Sequence, residues 1–280
     1  MLNALTIDVE DYFHVTAFKK HICADNWDSY PLRVVNNTLQ LLDILEKFSV
    51  KATFFILGWV AERSPSLVNE IHLRGHEIAC HGYGHELVYE IGPKKFRADV
   101  KKAKNIIENI CGNKINGYRA PSYSITKDSL WAFDILIEEG FSYDSSIFPI
   151  FHDIYGIPHA NRFPHEIKSE AGAIKEFPMS TIQINFLAHK FTIPVAGGGY
   201  LRLFPVWFIK KAIQSLNSRE GKPAVLYFHP WEIDHEQPRI KAGLKSTFRH
   251  YVNLKKNPDK IRTLLSSFDF TTMGQTLGVS

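Results

Sequence analysis

The chain is poor in cysteine: Cys23, Cys80 and Cys111 are scattered over 280 residues with no CxxC pair among them. An odd, sparse set excludes a disulfide framework and fits a reducing compartment. No apolar run approaches the ~20 residues that cross a bilayer. The chain runs directly into a strand pattern, Leu2 to Val9, without the basic start, long apolar stretch and small-residue cleavage site of a signal peptide. These absences lead to the expectation of a cytoplasmic protein that is not an integral membrane protein. An excess of one charge is lacking too. Lys plus Arg is 33 and Asp plus Glu is 29, a net +4 without a dense basic block, which argues against a nucleic-acid partner. No linker of Gly, Ser or Pro, no internal repeat and no low-complexity segment divides the chain.

What is present is 45% hydrophobic residues, ample for a sizeable core, in a β-then-α rhythm. Ala4–Asp8, Ala52–Leu57, His76–Cys80, Ile115–Arg119, Phe141–Ser145, Lys175–Met179 and Ala224–Phe228 read as strands. Helices are expected over Pro31–Phe48, from Ser64-Pro65 to Gly75, from Pro93 to near Gly112, over Thr126–Glu139 and from Pro205 to about Leu216. The longest irregular stretch is Phe148–Ala173, which contains His152, His159 and His165 as ordinary loop residues. Alternation of this kind predicts an α/β fold with a parallel sheet and crossover helices, one barrel-like domain over 1–280.

The chemistry-bearing residues share one address. Asp8-Val9-Glu10-Asp11, the pair His81 and His85 in HGYGH, Arg119, Asp144 and His229 each lie at the C-terminal end of an expected strand. In parallel α/β architectures sites are built at that end. Polar residues satisfied within the core would scatter between both ends. Two imidazoles and a carboxylate suit a divalent metal, typically zinc, and three protein ligands leave a coordination position open for water. Trp231 and Tyr200 are candidate platforms for stacking a sugar ring, and the triple glycine at 197–199 would let a polymer approach the backbone. Asp144 fits a structural role in the YDSS turn at least as well as a catalytic one.

The strings TIDVEDYFHV, HGYGH, RAPSYS, YDSSIFP and FHPWEID, in that order, resemble the five motifs of NodB-type polysaccharide deacetylases (carbohydrate esterase family 4). Together with GGGYLRL and the segment Pro238–Asn253, they resemble more closely the exosortase-associated branch of bacterial exopolysaccharide clusters. The resemblance covers essentially the whole chain, with about 235–280 as a branch-specific extension. It implies a distorted (β/α) barrel of fewer than eight strands. It also implies one divalent metal, most simply Zn2+, and removal of N-acetyl groups from amino sugars of an exopolysaccharide or its precursor, a membrane-linked substrate being compatible with it. Asp8 takes the place of the general base, Arg119 pairs with it, and His229 is the general acid. A backbone N–H near Ser122 or Tyr123 is expected to help hold the oxyanion.

Two departures from the family pattern matter. Val9 follows Asp8 where the family has a second aspartate, so the carboxylate ligand is Asp11 or, alternatively, Glu10. Aspartate is the usual residue type, which favours Asp11. Ser122 also intervenes before Tyr123, where a tyrosine normally follows the proline directly. The alternative functions are a metal-independent, allantoinase-like hydrolase of small amides and a non-catalytic carbohydrate-binding barrel. The intact set of acids and histidines argues against both.

Overall fold

The structure, a computed structural model, describes residues 1–186 and 189–279. Its strands are β1 (Asn3–Val9), β2 (Thr53–Ile56), β3 (Glu77–Cys80), β4 (Gly117–Tyr118), β5 (Tyr143–Asp144), β6 (His165–Ser169), β7 (Gly172–Glu176), β8 (Thr181–Phe186), β9 (His189–Pro194), β10 (Val225–Phe228) and β11 (Phe270–Thr271). The main sheet runs β10-β1-β2-β3-β4-β5-β7-β6, with β11 also paired to β1. Every pairing in it is parallel except the β6–β7 hairpin. Strands β8 and β9 form a separate antiparallel ribbon.

The α/β class is therefore the one expected, but the barrel is not closed. Among the described residues no ladder joins β10 to the β6–β7 end, and the main sheet has nine strands rather than fewer than eight. The extra strands escape a sequence reading for physical reasons. β6 is a half-exposed polar hairpin arm inside the stretch expected to be irregular, and β11 is two residues long.

The helices are α1 (Val34–Lys47), α2 (Gly58–Arg63), α3 (Pro65–Leu73), α4 (Val88–Cys111), α5 (Ala132–Glu138), α6 (Gly199–Leu203), α7 (Val206–Ser218), α8 (Leu244–Tyr251), α9 (Asn257–Leu265) and α10 (Met273–Leu277). Pro65 opens α3 at its first turn, where its missing N–H costs nothing. Gly112 closes α4 at φ 69, a left-handed conformation that suits glycine. The start of α4 is bent at Gly92, directly before Pro93.

Strand alternation sorts the core into two layers. Leu5, Ile7 and Val9 of β1, with Phe54, Ile56, Leu226 and Phe228, join the large cluster that the helices cover. Ala4, Phe55, Ala79, Tyr143, Val225 and Tyr227 face the other way, into a smaller inner cluster. The inner side also takes the polar residues at positions 6 and 8 of β1. The strand ends on that side carry the site.

Candidate active site

Asp8 lies next to the end of β1, and Glu10 follows across a tight turn in which its N–H donates to the Asp8 carbonyl at 3.0 Å. Asp8 Oδ1 accepts from Arg119 Nη1 at 2.6 Å, and the same nitrogen donates to Thr6 Oγ1 at 2.9 Å. The guanidinium also donates to the Ser145 carbonyl and hydroxyl, and its carbon lies 4.1 Å from the Phe55 ring centre. With no exposure at all, Arg119 is fixed on every side. Burial would lower its pKa, but Asp8 and the neighbouring tyrosine hydroxyls more than compensate, so it stays charged.

Glu10, His81 and His85 form a buried triad whose ligand atoms all lie within 4.8 Å of one another. His81 Nδ1 lies 2.8 Å from the Arg119 carbonyl, to which it must donate, and this leaves the Nε2 lone pair free. Burial lowers the His81 pKa to about 4, so the ring is neutral at physiological pH. His85 Nε2 is 2.6 Å from Glu10 Oε2. Burial pushes the Glu10 carboxyl up, yet His85, His229 and His81 outweigh it and hold the acid well below the usual carboxylate range. Two imidazoles and one buried, ionised carboxylate, with ligand atoms this close together, fit a divalent cation.

Asp11 does not join them, which corrects the expectation that favoured it over Glu10. Its position, one residue on from Glu10, turns it to the opposite face. There its carboxylate accepts from Tyr12 N at 2.9 Å, Arg33 N at 2.7 Å and Val34 N at 2.8 Å, capping the start of α1. Burial raises the Asp11 pKa to about 6 against those three backbone donors.

Across the triad stands His229, with Nε2 3.4 Å from Glu10 Oε1 and 4.0 Å from Asp8 Oδ2. Its Nδ1 meets Glu232 Oε1 at 2.5 Å, and Glu232 Oε2 pairs with Arg202 Nη1 at 2.6 Å. Neither Glu232 nor Arg202 was evident from the sequence. The three-residue spacing from His229 to Glu232 is a local signal, whereas Arg202 comes from α6 and has none. Burial alone would lower the His229 pKa, but Glu10 and Glu232 raise it overall.

Trp231 is not the open sugar platform expected of it. One face stacks on His229 at 5.0 Å and the other on His250 at 4.2 Å, and only 3% of the residue is exposed. Tyr200 lies outside the catalytic cleft, on the wall of a neighbouring cavity. The glycines are explained by the fold: a Cβ on Gly197 would sit 1.8 Å from the Tyr227 carbonyl, so the close approach is to β10. Asp144 binds the Ser146 amide and hydroxyl, and Ser146 Oγ in turn accepts from Ala120 N, a structural role.

A cleft of about 130 Å³ is bordered by Asp8, Glu10, His81, His85, Ser122, Tyr123 and His229, with Trp231 in its wall. Six non-glycine residues among those described have positive φ, and three of them, His85, Ser122 and Tyr123, border this cleft. Backbone held in that sparsely populated region is typical of sites fixed by their surroundings. Ser122 Oγ is 2.6 Å from Thr16 Oγ1, which ties the strained turn to the segment after β1.

A mostly parallel α/β sheet thus carries an acid, a metal-competent triad and a third histidine, His229, at its strand ends. Residues 17–135 match the family described as Polysaccharide deacetylase, and residues 145–278 match the Domain of unknown function (DUF3473). Over residues 17–135 the chain is thus similar to polysaccharide deacetylases of the NodB type. It is 32% identical over 106 residues to a bifunctional xylanase/deacetylase of Pseudobutyrivibrio xylanivorans, a match covering 38% of this chain and 18% of that protein. It is 34% identical over 96 residues to a peptidoglycan-N-acetylglucosamine deacetylase of Bacillus cereus, covering 34% of this chain and 35% of that protein. The chain thus spans about a third or less of these relatives. A putative polysaccharide deacetylase from Mycobacterium smegmatis superposes with a TM-score of 0.62 at 21% identity, covering 98% of this chain and 88% of that one. The Puue allantoinase superposes at 0.60 and 13% identity, with the same coverage. At those identities the likeness is one of fold.

Proposed function

We propose that the protein hydrolyses N-acetyl groups on amino sugars of a bacterial exopolysaccharide or its precursor, using one divalent metal, most simply zinc. The observation that carries this reading is that Asp8 and His229 flank the Glu10–His81–His85 triad within one cleft. The named relatives that deacetylate peptidoglycan support the reaction type. The resemblance of the motif strings supports the exopolysaccharide branch.

Amide hydrolysis needs an activated water, a polarised carbonyl and a proton for the departing nitrogen. Glu10, His81 and His85 would hold the metal, which when bound would supply Lewis acidity for this hydrolysis. Asp8 has one oxygen committed to Arg119, which leaves Oδ2 to accept a proton as the water oxygen bonds to the acetyl carbon. His229, oriented by Glu232, delivers the Nε2 proton to the sugar nitrogen as the C–N bond breaks. Acetate and the free amine are the products. The Tyr123 N–H donates to the Ala120 carbonyl at 3.0 Å, so the Ser122 N–H is the amide available to the oxyanion.

The test is acetate release from an acetylated chitooligosaccharide. Asp8→Asn and His81→Ala are each expected to lower the rate about 10²–10⁴-fold with the fold retained. Unchanged activity in both would sink the reading.

A further inference from the structure

Next to the catalytic cleft lies a second, larger cavity of about 430 Å³. The two share Val15, Thr16, Ser122, Tyr155 and Tyr227, so they adjoin. The walls of the larger cavity differ from those that suit a neutral sugar. Ile154, Tyr155, Tyr200, Leu203, Phe248 and Val252 give it branched aliphatic as well as aromatic surface. A sugar ring presents a flat apolar face and a rim of hydroxyls; Thr16, Ser122, His152 and the tyrosine hydroxyls can meet part of that rim, but the aliphatic stretch of Ile154, Leu203 and Val252 offers it no partner. A hydrocarbon chain asks for no hydrogen bonds.

The mouth of this cavity has its own chemistry. Lys245 and Arg249, one turn apart on α8, line it. Asp153 is the acid opposite, 3.3 Å from Lys245 Nζ, while the Arg249 guanidinium meets no carboxylate among the described residues. The rim therefore keeps an unneutralised cation. The two most exposed large apolar side chains flank this same ion pair. Leu244 is 91% exposed and adjoins Lys245, and Phe151 is 89% exposed and lies two residues before Asp153. Exposed apolar side chains thus adjoin in sequence the charged residues of the rim.

Resting on the deacetylase reading, we propose that the cavity binds the carrier end of the substrate, a phosphate or diphosphate joined to an isoprenoid-like hydrocarbon. The anionic group would meet Arg249 and Lys245, the first part of the chain would fill the cavity, and the rest would leave over Leu244 and Phe151. The acetylated sugar, linked through the phosphate, would then lie in the catalytic cleft. The argument is continuity with the site, charge complementarity at the rim, and an aliphatic wall that a polymer of neutral sugars does not use.

Farnesyl diphosphate is the probe, titrated calorimetrically into wild type and into the Lys245→Glu/Arg249→Glu double variant. Both residues are exposed and outside the catalytic cleft. The wild type is expected to bind it, and the reversal to weaken binding by about tenfold or more. Farnesol and inorganic diphosphate, each carrying half of the chemistry, are expected to bind at least about tenfold more weakly than farnesyl diphosphate. Acetate release from a neutral chitooligosaccharide should be unchanged by the reversal. Absence of farnesyl diphosphate binding, binding untouched by the reversal, or equal binding of inorganic diphosphate overturns the proposal, the last pointing to an acidic glycan instead. Failure of the wild type to release acetate from either the chitooligosaccharide or a farnesyl diphosphate-linked N-acetylglucosamine overturns the deacetylase reading, whatever the calorimetry gives.

Discussion

Glu232 Oε1 lies 2.5 Å from Nδ1 of His229, and its other oxygen is neutralised by Arg202 at 2.6 Å. The acid sets which imidazole nitrogen faces Asp8 and Glu10, and Arg202 keeps that acid ionised in a fully buried place. Burial raises the Glu232 pKa and the two cationic partners lower it further than that, for a net depression. The arginine therefore acts on the site through two intermediates. Glu232→Gln is expected to lower kcat by about 10–100-fold with little change in KM, since it holds His229 less well without touching substrate. Glu232→Ala should also destabilise the fold by about 3–5 kcal/mol, because it leaves Arg202 buried without its partner. Steady-state kinetics beside urea unfolding separates the two effects.

The choice between Glu10 and Asp11 can be read from metal content. About one zinc per chain is expected for wild type purified without chelator, lost in His81→Ala, His85→Ala and Glu10→Gln. Asp11→Ala should keep its zinc but lose about 0.5–2 kcal/mol of stability, the usual cost of removing a helix cap. Loss of zinc in Asp11→Ala with retention in Glu10→Gln would reverse the assignment.

Arg119 has a role that Lys cannot fill. It spans Thr6, Asp8 and Ser145 with a planar fork at full burial. Arg119→Lys is expected to keep the charge and lose the geometry, reducing kcat/KM about 10²-fold or more while the metal content stays near wild type. Elemental analysis together with acetate release checks this; a loss of metal would instead mean that the His81–Arg119 carbonyl contact fails first.

Glu176 gives a pH dependence of known sign. Burial raises its pKa well above the ordinary 4.5, and the neighbouring Asp144 carboxyl raises it further. The folded state therefore holds a proton that the unfolded chain releases, and stability falls as pH rises from about the unfolded value toward the folded one. Glu176→Gln, which is neutral at every pH, should flatten that alkaline decline while leaving stability near pH 4 almost unchanged. Denaturant midpoints measured from pH 4 to 9 decide it, and parallel profiles for both proteins would refute the sign.

Much of this protein was fixed locally. The apolar runs of β1, β2, β3 and β10, the proline opening α3 and the glycine closing α4 are signals of period, cap and turn, and they produce the expected α/β order. That order alone brings Asp8, His81, Arg119 and His229 to one end of a parallel sheet, because parallel strands present the same end together. Other features have no local signal. Glu10 rather than Asp11 faces the histidines because the chain turns tightly past β1, with Glu10 N donating to the Asp8 carbonyl, and the start of α1 takes the Asp11 carboxylate. Trp231 is closed off as a platform by His250 from α8, Arg202 reaches Glu232 from α6, and the open sheet ends in a polar hairpin. These are contacts between segments far apart in sequence. Periodicity is a property of neighbours along the chain, whereas such contacts are set by which faces the folded layers bring together.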